Sequence, residues 1–383
     1  IVVVAMTATT IADVYTPASD DEVLETLPRS LLAGRDELTK LRRQLSSDAN
    51  NPILAADVAV RYLQMGKLEG DPRFYGYARA AIKPWWDATD PPATILKLRS
   101  KLNEKEHLYD LALADLVKLL TKDPRDVQAW IELANIYRVQ GKYSQATQAC
   151  DNLSTFAGTI PITLCRAPLH AVTGEAQQAY DALAKVMPAA RKDFPTTVQF
   201  ILTMQAQIAQ ALGRFDDAET HLKEGLDANP DDKYLIRAYA DFLLDQNRNQ
   251  EAFDLVQDHV GDNGVLLRAA IAADRLGKDD LSNQWQVQLD RRFEEIRMRG
   301  SAPHGRFEAR YLLELRDEPK RALTIALDNW DKQKETRDTR HVLEAAVAAK
   351  NPDAAVPVLA FLDENGTEDV VLQSLADQLS RNP

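Results

Sequence analysis

A spaced pattern of side chains recurs along this chain at intervals of about 34 residues. The clearest copy starts at Trp130 in the order W-x2-L-A-x2-Y, continues with the tripeptide G-K-Y and ends at Ala146. A second copy closes with Leu212 and Gly213 and ends at Pro230. Self-similarity at a fixed interval of this length predicts a protein built by stacking one small unit many times.

The residue types within the pattern indicate what the unit is. Small residues such as Ala134 and Ala146 let two antiparallel helices approach, while large ones such as Trp130 and Leu222 fill the space between successive pairs. A glycine such as Gly141 accepts the left-handed conformation that a tight turn between helices requires. Because no alternating strand pattern persists beyond the first dozen residues, the sequence predicts an all-α protein.

The copies that start at Trp130 and end at Pro230 resemble the tetratricopeptide (TPR) repeat. The resemblance covers residues 52–380 and implies an all-α fold, an α-α superhelix of about eight helix pairs with capping helices. It also implies a surface that binds other molecules rather than a catalytic site. The stretch 71–86, with its two adjacent tryptophans, is similar to an uncharacterised group of bacterial TPR proteins predicted to be exported, which supplies no activity.

The chain divides into an N-terminal segment and the repeat array. Residues 1–45 form a lead-in and capping segment, and residues 46–383 form the array. Within the lead-in, residues 1–12 are apolar and small, which fits either the end of a secretory signal or a packed N-terminal segment. The first alternative makes the protein periplasmic or otherwise exported, and the second leaves it cytoplasmic.

Two irregularities interrupt the array. Pro168 falls inside a predicted first helix, where a proline removes a backbone hydrogen bond and breaks or kinks the helix. The linker predicted at 187–194 is longer than a regular array needs. Together they predict a bend in the superhelix near 187–198.

Charge and motifs exclude several classes of protein. The net charge of −12 repels phosphate backbones, so we expect no nucleic-acid partner. No apolar run in the chain is long enough to span a bilayer. None of the six histidines lies in a metal-binding H-E-x-x-H motif, and the nucleotide-binding and nucleophile-elbow motifs are absent from the sequence. We therefore expect no metal, no cofactor and no enzymatic activity.

Cys150 and Cys165 are the only cysteines. Their spacing places one on the second helix of a repeat and the other on the first helix of the next, and these helices pack together. In an exported protein the pair would form a disulfide between neighbouring repeats. The alternative is two buried free thiols in a cytosolic protein.

The first helix of each repeat lines the concave surface of a TPR superhelix, and this is where the sequence places a candidate site. Side chains predicted to point into the groove are polar and suit the carboxylates and main chain of a peptide. They are Lys97, Lys101, Asn135, Arg138, Gln207, Gln210, Arg237 and Asp241. The alternative is that they form a solvated polar face.

Three hypotheses for function follow. The first is a non-catalytic scaffold that binds a protein or extended peptide in the concave groove. The second is a structural or assembly subunit of a bacterial envelope complex that uses its convex face or its ends. The third is an enzyme with a non-standard site around Trp85, Trp86 and His107. The sequence identifies neither the partner nor the oligomeric state.

Overall fold

The computed structural model of the chain describes residues 35–69, 73–298 and 305–381. Within these ranges it contains 21 α-helices, two short 3-10 turns and no strand. The prediction of an all-α superhelix is therefore confirmed. Most of the predicted lead-in, including the apolar residues 1–12, lies outside the described residues.

The helices are numbered in chain order. They are α1 (Arg35–Ser47), α2 (Pro52–Glu69), α3 (Arg73–Ala81), α4 (Lys83–Trp86), α5 (Ala93–Lys105), α6 (Tyr109–Lys122), α7 (Val127–Val139), α8 (Tyr143–Ser154), α9 (Thr159–His170), α10 (Ala176–Asp193), α11 (Pro195–Ala211), α12 (Phe215–Ala228), α13 (Lys233–Asp245), α14 (Asn249–Val256), α15 (Asn263–Arg275), α16 (Asp279–Met298), α17 (Gly305–Glu314), α18 (Pro319–Lys332), α19 (Thr336–Ala349), α20 (Val356–Glu364) and α21 (Val370–Arg381).

Consecutive helices form hairpins, as the repeat pattern predicts. The pairs run from α5/α6 to α19/α20, preceded by a modified pair α2/α3, and each pair stacks on the next. Helix α21 packs against α19 and caps the C-terminal end. Stacking is required because a single hairpin cannot bury both of its apolar faces.

The turn inside each regular pair contains one residue in the left-handed conformation, with φ between 49° and 77°. These residues are His107, Gly141, Gly174, Gly213, Asn247, Gly277, Asp317 and Lys350. This conformation ends a helix by satisfying its last carbonyl groups. Half of the positions are glycine, as the sequence pattern predicts, and the other half are residues that bear the steric cost of the turn.

The small and large positions of the repeat differ in burial. Ala146 and Leu222 are buried completely or nearly so, with exposed fractions of 1% and 0%. Trp130 is only half-buried, and its indole nitrogen donates a hydrogen bond to the carbonyl oxygen of Pro124 at 2.9 Å. The alanines therefore set how closely the helices approach, while this tryptophan covers the edge of the core and closes the preceding loop.

Two local expectations differ from the structure. Pro168 lies inside α9, close to its C-terminal end, and does not break it, while a kink there stays a prediction. Most of the linker predicted at 187–194 is helical and belongs to α10. Met187 and Ala190 are buried there, so the packing of α10 on its neighbours outweighs the local tendency to end the helix. The bend near 187–198 stays a prediction.

The superhelix coils so tightly that helices far apart in sequence touch. Helix α2 contacts α13, and α11 contacts α21. A further contact, which we call the seam, joins residues 109–174 to residues 333–367. At its centre the backbone N–H of Lys334 donates to the carbonyl oxygen of Val139 at 2.6 Å. The repeat pattern alone gives no indication of this closure.

Side chains extend the seam in both directions. The hydroxyl of Tyr109 donates to the side-chain oxygen of Gln333 at 3.0 Å, and both side chains are buried. The hydroxyl of Thr367 donates to the carbonyl oxygen of Val172 at 2.9 Å. These hydrogen bonds hold the concave surface closed around an interior space.

Two of the turn glycines lie at the seam and allow its two sides to approach closely. A Cβ on Gly141 would lie 2.8 Å from Cδ of Lys334, and a Cβ on Gly174 would lie 3.0 Å from the carbonyl oxygen of Gly366. Both glycines have positive φ, so any other residue would meet backbone strain as well as a steric clash. Glycine at these turns is therefore required for the close approach of the two halves.

Candidate functional site

The inner face of the superhelix encloses two cavities that share Tyr234 as a wall residue. The larger cavity, of about 1650 Å³, lies between α2, α3 and α5 on one side and the starts of α13 and α15 on the other. The smaller cavity, of about 470 Å³, lies between α7, α11, α13, α17, α19 and α21. Six predicted groove residues line them: Lys101 and Arg237 the larger cavity, and Arg138, Gln207, Gln210 and Asp241 the smaller.

Both predicted cations of the larger cavity are already paired. Arg237 donates two hydrogen bonds to the carboxylate of Asp262, at 3.0 and 2.8 Å. That carboxylate also accepts from the backbone N–H of Val265 at 2.9 Å and so caps α15. The ammonium of Lys101 lies 3.1 Å from the carboxylate of Glu104. These pairs fix the wall of the cavity and leave other residues to contact a ligand.

In the smaller cavity the predicted residues Arg138 and Gln207 are held by neighbouring side chains. Arg138 donates to the side-chain oxygen of Asn135 at 2.9 Å and lies 3.5 Å from the carboxylate of Glu335 across the seam. Gln207 donates to the hydroxyl of Tyr234 at 2.7 Å. Asn135 lines neither cavity, but it positions a residue that does.

Two further predicted residues, Lys97 and Gln210, make local contacts. Lys97 also lines neither cavity, and its ammonium lies 2.9 Å from the carboxylate of Asp126. That carboxylate caps α7 by accepting from the backbone N–H of Ala129. Gln210 donates to the carbonyl oxygen of Ala206 on its own helix at 3.3 Å. Lys97 therefore links successive repeats rather than facing the interior.

Asp241 is the centre of a buried charge network. It accepts a hydrogen bond from Arg268 at 2.7 Å and another from Arg310, and Arg337 lies 3.5 Å away. Burial alone would raise the pKa of this carboxyl group, but the three guanidinium groups outweigh burial and hold the pKa well below its ordinary value. Asp241 therefore remains charged and is the shared counter-ion of cations from three other helices.

Further members of this network carry no signal in the sequence. Arg306 lies 2.6 Å from the carboxylate of Glu335, and Arg340 lies 2.6 Å from that of Asp245. The two residues of the second pair are 95 positions apart, so no local spacing in the sequence predicts their contact. The interior is thus lined by paired charges of both signs, which make its walls rigid.

The described part of the chain contains no group of three or more His, Cys, Asp or Glu side chains placed to hold a metal ion. Among the helices within the described ranges, none combines the length and the apolar character that crossing a membrane requires.

The repeats of this chain are similar to those of a known family. The tetratricopeptide repeat family matches two segments, residues 105–153 and 203–264. The chain carries tetratricopeptide repeats in these two segments. The matched segments contain the two clearest copies of the pattern, so the resemblance to TPR proteins is confirmed, while membership of the exported group stays a prediction. TPR repeats are consistent with a role in protein interaction or assembly.

One curated relative is cellulose synthase operon protein C from Xanthomonas axonopodis pv. citri (strain 306). It is 25% identical over 230 residues, which cover 56% of this chain. The match spans only 15% of the length of that relative.

Solved structures are similar in fold. A human IFIT1 dimer with PPP-AAAA has a TM-score of 0.51 at 11% identity, with 87% of this chain and 79% of that chain covered. PilW, a type IV pilus biogenesis factor, has a TM-score of 0.43 at 17% identity, with 54% and 96% covered. At 11% identity the likeness to the IFIT1 structure concerns the helical fold alone.

The tryptophans before the first regular TPR unit have structural contacts. Arg99 donates to the carbonyl oxygen of Trp86 at 2.5 Å and to both carboxylate oxygens of Asp115 at 2.7 Å. The guanidinium of Arg79 lies 4.3 Å from the ring centroid of Trp86, a cation–π contact. These contacts fasten the segment to the first regular pair.

His107, which the third hypothesis combines with these tryptophans, lies in the turn after α5 and stacks on Tyr109 at 5.8 Å between ring centroids. Burial lowers its pKa to about 4, helped by the positive charges of Arg306 and Lys105. A histidine held neutral in this way fits a structural role at the seam.

Lowering the pH from 7 to 5 should therefore destabilise the protein by about 1–2 kcal/mol through His107. Its folded pKa lies below the unfolded value, so the unfolded state binds more protons, and this contribution is lost as the pH falls from about 6.5 to 4. Urea unfolding at pH 7 and pH 5, for wild type and His107→Asn, measures this loss of stability. Asparagine tolerates the positive φ of this turn. An equal loss in both proteins would show that His107 is not responsible.

The structure joins Cys150 in α8 to Cys165 in α9 by a disulfide bond, with Cα atoms 5.7 Å apart. Both residues are buried, with exposed fractions of 1% and 6%. The bond links one TPR unit to the next on the side of the superhelix that carries the seam.

Proposed function

We propose that this chain is a non-catalytic scaffold that binds a protein segment on the concave surface of its TPR superhelix. The observation that carries the proposal is the placement of six predicted groove residues around two adjoining interior cavities. Concave sites with a few positioned polar groups are where proteins bind their ligands.

The enclosure of the interior favours an extended segment over a folded domain. The seam and the contact between α2 and α13 join parts of the superhelix that are far apart in sequence, which limits the space open to a folded partner. The larger cavity, at about 1650 Å³, exceeds the 300–1,000 Å³ typical of small-molecule pockets. An extended peptide matches both properties because it is long and narrow.

The compartment of the protein is part of this proposal. A disulfide between Cys150 and Cys165 persists in oxidising surroundings such as the periplasm and is rare in the cytosol. We therefore favour an exported protein.

A steric block of the larger cavity tests the proposal. Reversing the charge of Lys101 or Arg237 would also break their ion pairs, so it would confuse folding with binding. A Cβ on Gly76, in the cavity wall, meets no atom within 4 Å, and the same is true of Gly158, which lines neither cavity. Gly76→Trp is expected to reduce capture of partners from periplasmic extract of the native host by about tenfold, the loss expected when one interface anchor is removed. Gly158→Trp is expected to leave capture unchanged.

The same experiment addresses the second hypothesis. Partners captured equally by wild type and Gly76→Trp would bind the convex face or the ends, as an assembly subunit of an envelope complex would. Circular dichroism of both variants checks that the helices remain intact. Equal capture by the two proteins would overturn binding in the larger cavity.

A further inference from the structure

Four large apolar side chains are exposed inside the larger cavity. They are Val60, Tyr77, Leu108 and Tyr234, with exposed fractions of 40%, 51%, 43% and 42%, and we call them the apolar patch. They come from α2, α3, the turn before α6, and α13, so they surround the space from several sides. Apolar surface gathered in one cavity and left uncovered marks a binding surface, whereas single exposed apolar residues are ordinary.

The aromatic members of the apolar patch are held in place by their neighbours. Tyr77 packs against Tyr62 and Phe74, with ring centroids 5.4 and 6.0 Å apart. Tyr234 accepts a hydrogen bond from Gln207, and the guanidinium of Arg337 lies 5.8 Å from its ring centroid. Rings fixed in this way lose little conformational freedom when a ligand binds, which favours affinity.

The charge around the apolar patch is opposite to that of the protein as a whole. The chain has a net charge of −12, yet the lining of the larger cavity holds seven basic and four acidic residues, a difference of +3. The basic residues are Lys67, Arg73, Arg79, Lys101, Lys105, Lys233 and Arg237; the acidic residues are Glu106, Asp231, Asp232 and Asp262. A basic interior in an acidic protein attracts an anionic ligand.

Ion pairing and helix capping engage three of the four acidic residues of the wall. Glu106 pairs with Arg79 at 3.4 Å, and Asp262 pairs with Arg237 at 2.8 Å. Asp232 caps α13 by accepting hydrogen bonds from two backbone N–H groups.

Three lysines of the wall form no salt bridge with a carboxylate of the described residues: Lys67, Lys105 and Lys233. The ammonium of Lys233 contacts a nitrogen of His259 instead, at 2.9 Å. These three ammonium groups, next to the apolar patch, are therefore what the cavity offers to a negatively charged ligand.

We propose that the larger cavity binds an extended polypeptide segment that is acidic and carries apolar side chains, the carboxylates meeting Lys67, Lys105 and Lys233 and the apolar side chains covering the patch. This inference rests on the proposed function and names the chemistry of the partner. Val60 and Leu108 favour a polypeptide over an acidic polysaccharide, because aliphatic side chains offer a sugar neither hydrogen bonds nor a ring to stack on.

Selection from a random peptide-display library on the full chain tests the proposal. We expect the enriched peptides to be net acidic with aliphatic or aromatic residues. The triple variant Lys67→Glu, Lys105→Glu, Lys233→Glu should weaken their binding by about tenfold or more, because it reverses the charge of the three wall lysines that form no salt bridge. The triple variant Lys185→Glu, Lys192→Glu, Lys320→Glu, at exposed lysines outside both cavities, changes the net charge equally and should leave binding intact.

A second pair of variants isolates the apolar contribution. Tyr77→Ser with Leu108→Ser should weaken the enriched peptides by about tenfold, the size of one or two lost apolar anchors. Leu111→Ser with Val117→Ser alters two equally exposed side chains outside both cavities and should have no effect.

Three outcomes would overturn the inference. Neutral or basic peptides that bind and are blocked by Gly76→Trp would refute the acidic chemistry but keep the interior as the binding site. Polygalacturonate that binds in place of peptides, and is lost in the lysine variant, would reassign the cavity to an acidic polysaccharide. No enriched peptide and no polysaccharide binding would refute the proposed function as well.

Discussion

Replacing Asp241 by asparagine is expected to lower the free energy of unfolding by about 3–5 kcal/mol. The carboxylate lies between Arg268, Arg310 and Arg337, all within 3.5 Å. Asparagine keeps the shape but removes the negative charge, so three guanidinium groups remain in the interior without their shared counter-ion. Leaving a buried charge unpaired costs more than the intact pair contributes, because desolvation is no longer offset.

Urea denaturation of wild type and Asp241→Asn measures this loss. Asp57→Asn is a matched control, since Asp57 is exposed on α2 and its substitution should change stability by less than about 0.5 kcal/mol. Adding Arg337→Gln to Asp241→Asn should recover part of the loss, because one of the uncompensated cations is then removed. A loss of less than about 1 kcal/mol for Asp241→Asn would mean that water or another carboxylate replaces it.

Asp241 also shows how far the sequence can locate a site of this kind. Its position on a first helix predicts that it faces the concave surface, and it does line the smaller cavity. Its use as the counter-ion of Arg310 was not predictable, since the two residues are 69 positions apart. The position of a residue in the repeat therefore predicts which surface its side chain faces. It does not predict whether the charge of that side chain is free to bind a ligand.

The helix pairs could be predicted because each forms from contacts within one repeat interval. The turn at Gly141 and the buried Ala146 belong to one hairpin, whose pattern recurs. The closure of the superhelix could not be predicted, because it depends on the sum of the small rotations between successive repeats along the array. Arg138 and Glu335 meet across 197 positions, and nothing near either residue indicates the other.

The exposed aromatic residues of the larger cavity show the same limit. Tyr77 and Tyr234 occupy ordinary positions in their own helices, and only the closed superhelix brings both to one cavity. The sequence pointed to polar side chains at concave positions, and six of these residues line the two cavities. It did not find the apolar patch, because apolar residues in a repeat are expected to be core.

The double variant Cys150→Ala, Cys165→Ala is expected to lower the free energy of unfolding by about 3 kcal/mol. The bond closes a chain segment whose ends are 15 positions apart, and without it the unfolded chain gains conformational freedom. Alanine is preferred to serine because both sites are buried, where an unpaired hydroxyl would add a cost of its own. Dithiothreitol should destabilise wild type by a similar amount and leave the alanine variant unaffected.

Counting thiols in denatured, unreduced protein decides whether the bond forms, and two free thiols in material prepared under oxidising conditions would refute it.

Hydrogen exchange shows which part of the fold the bond stabilises. Helix α9 leads directly into the turn whose Val172 carbonyl accepts the seam hydrogen bond from Thr367. If the disulfide fixes α9 against α8, its removal should increase exchange in α9 and at the seam before it affects the pairs α13/α14 and α15/α16, since local opening follows the weakest contacts. Uniformly increased exchange would mean instead that the bond stabilises the array only through the unfolded chain.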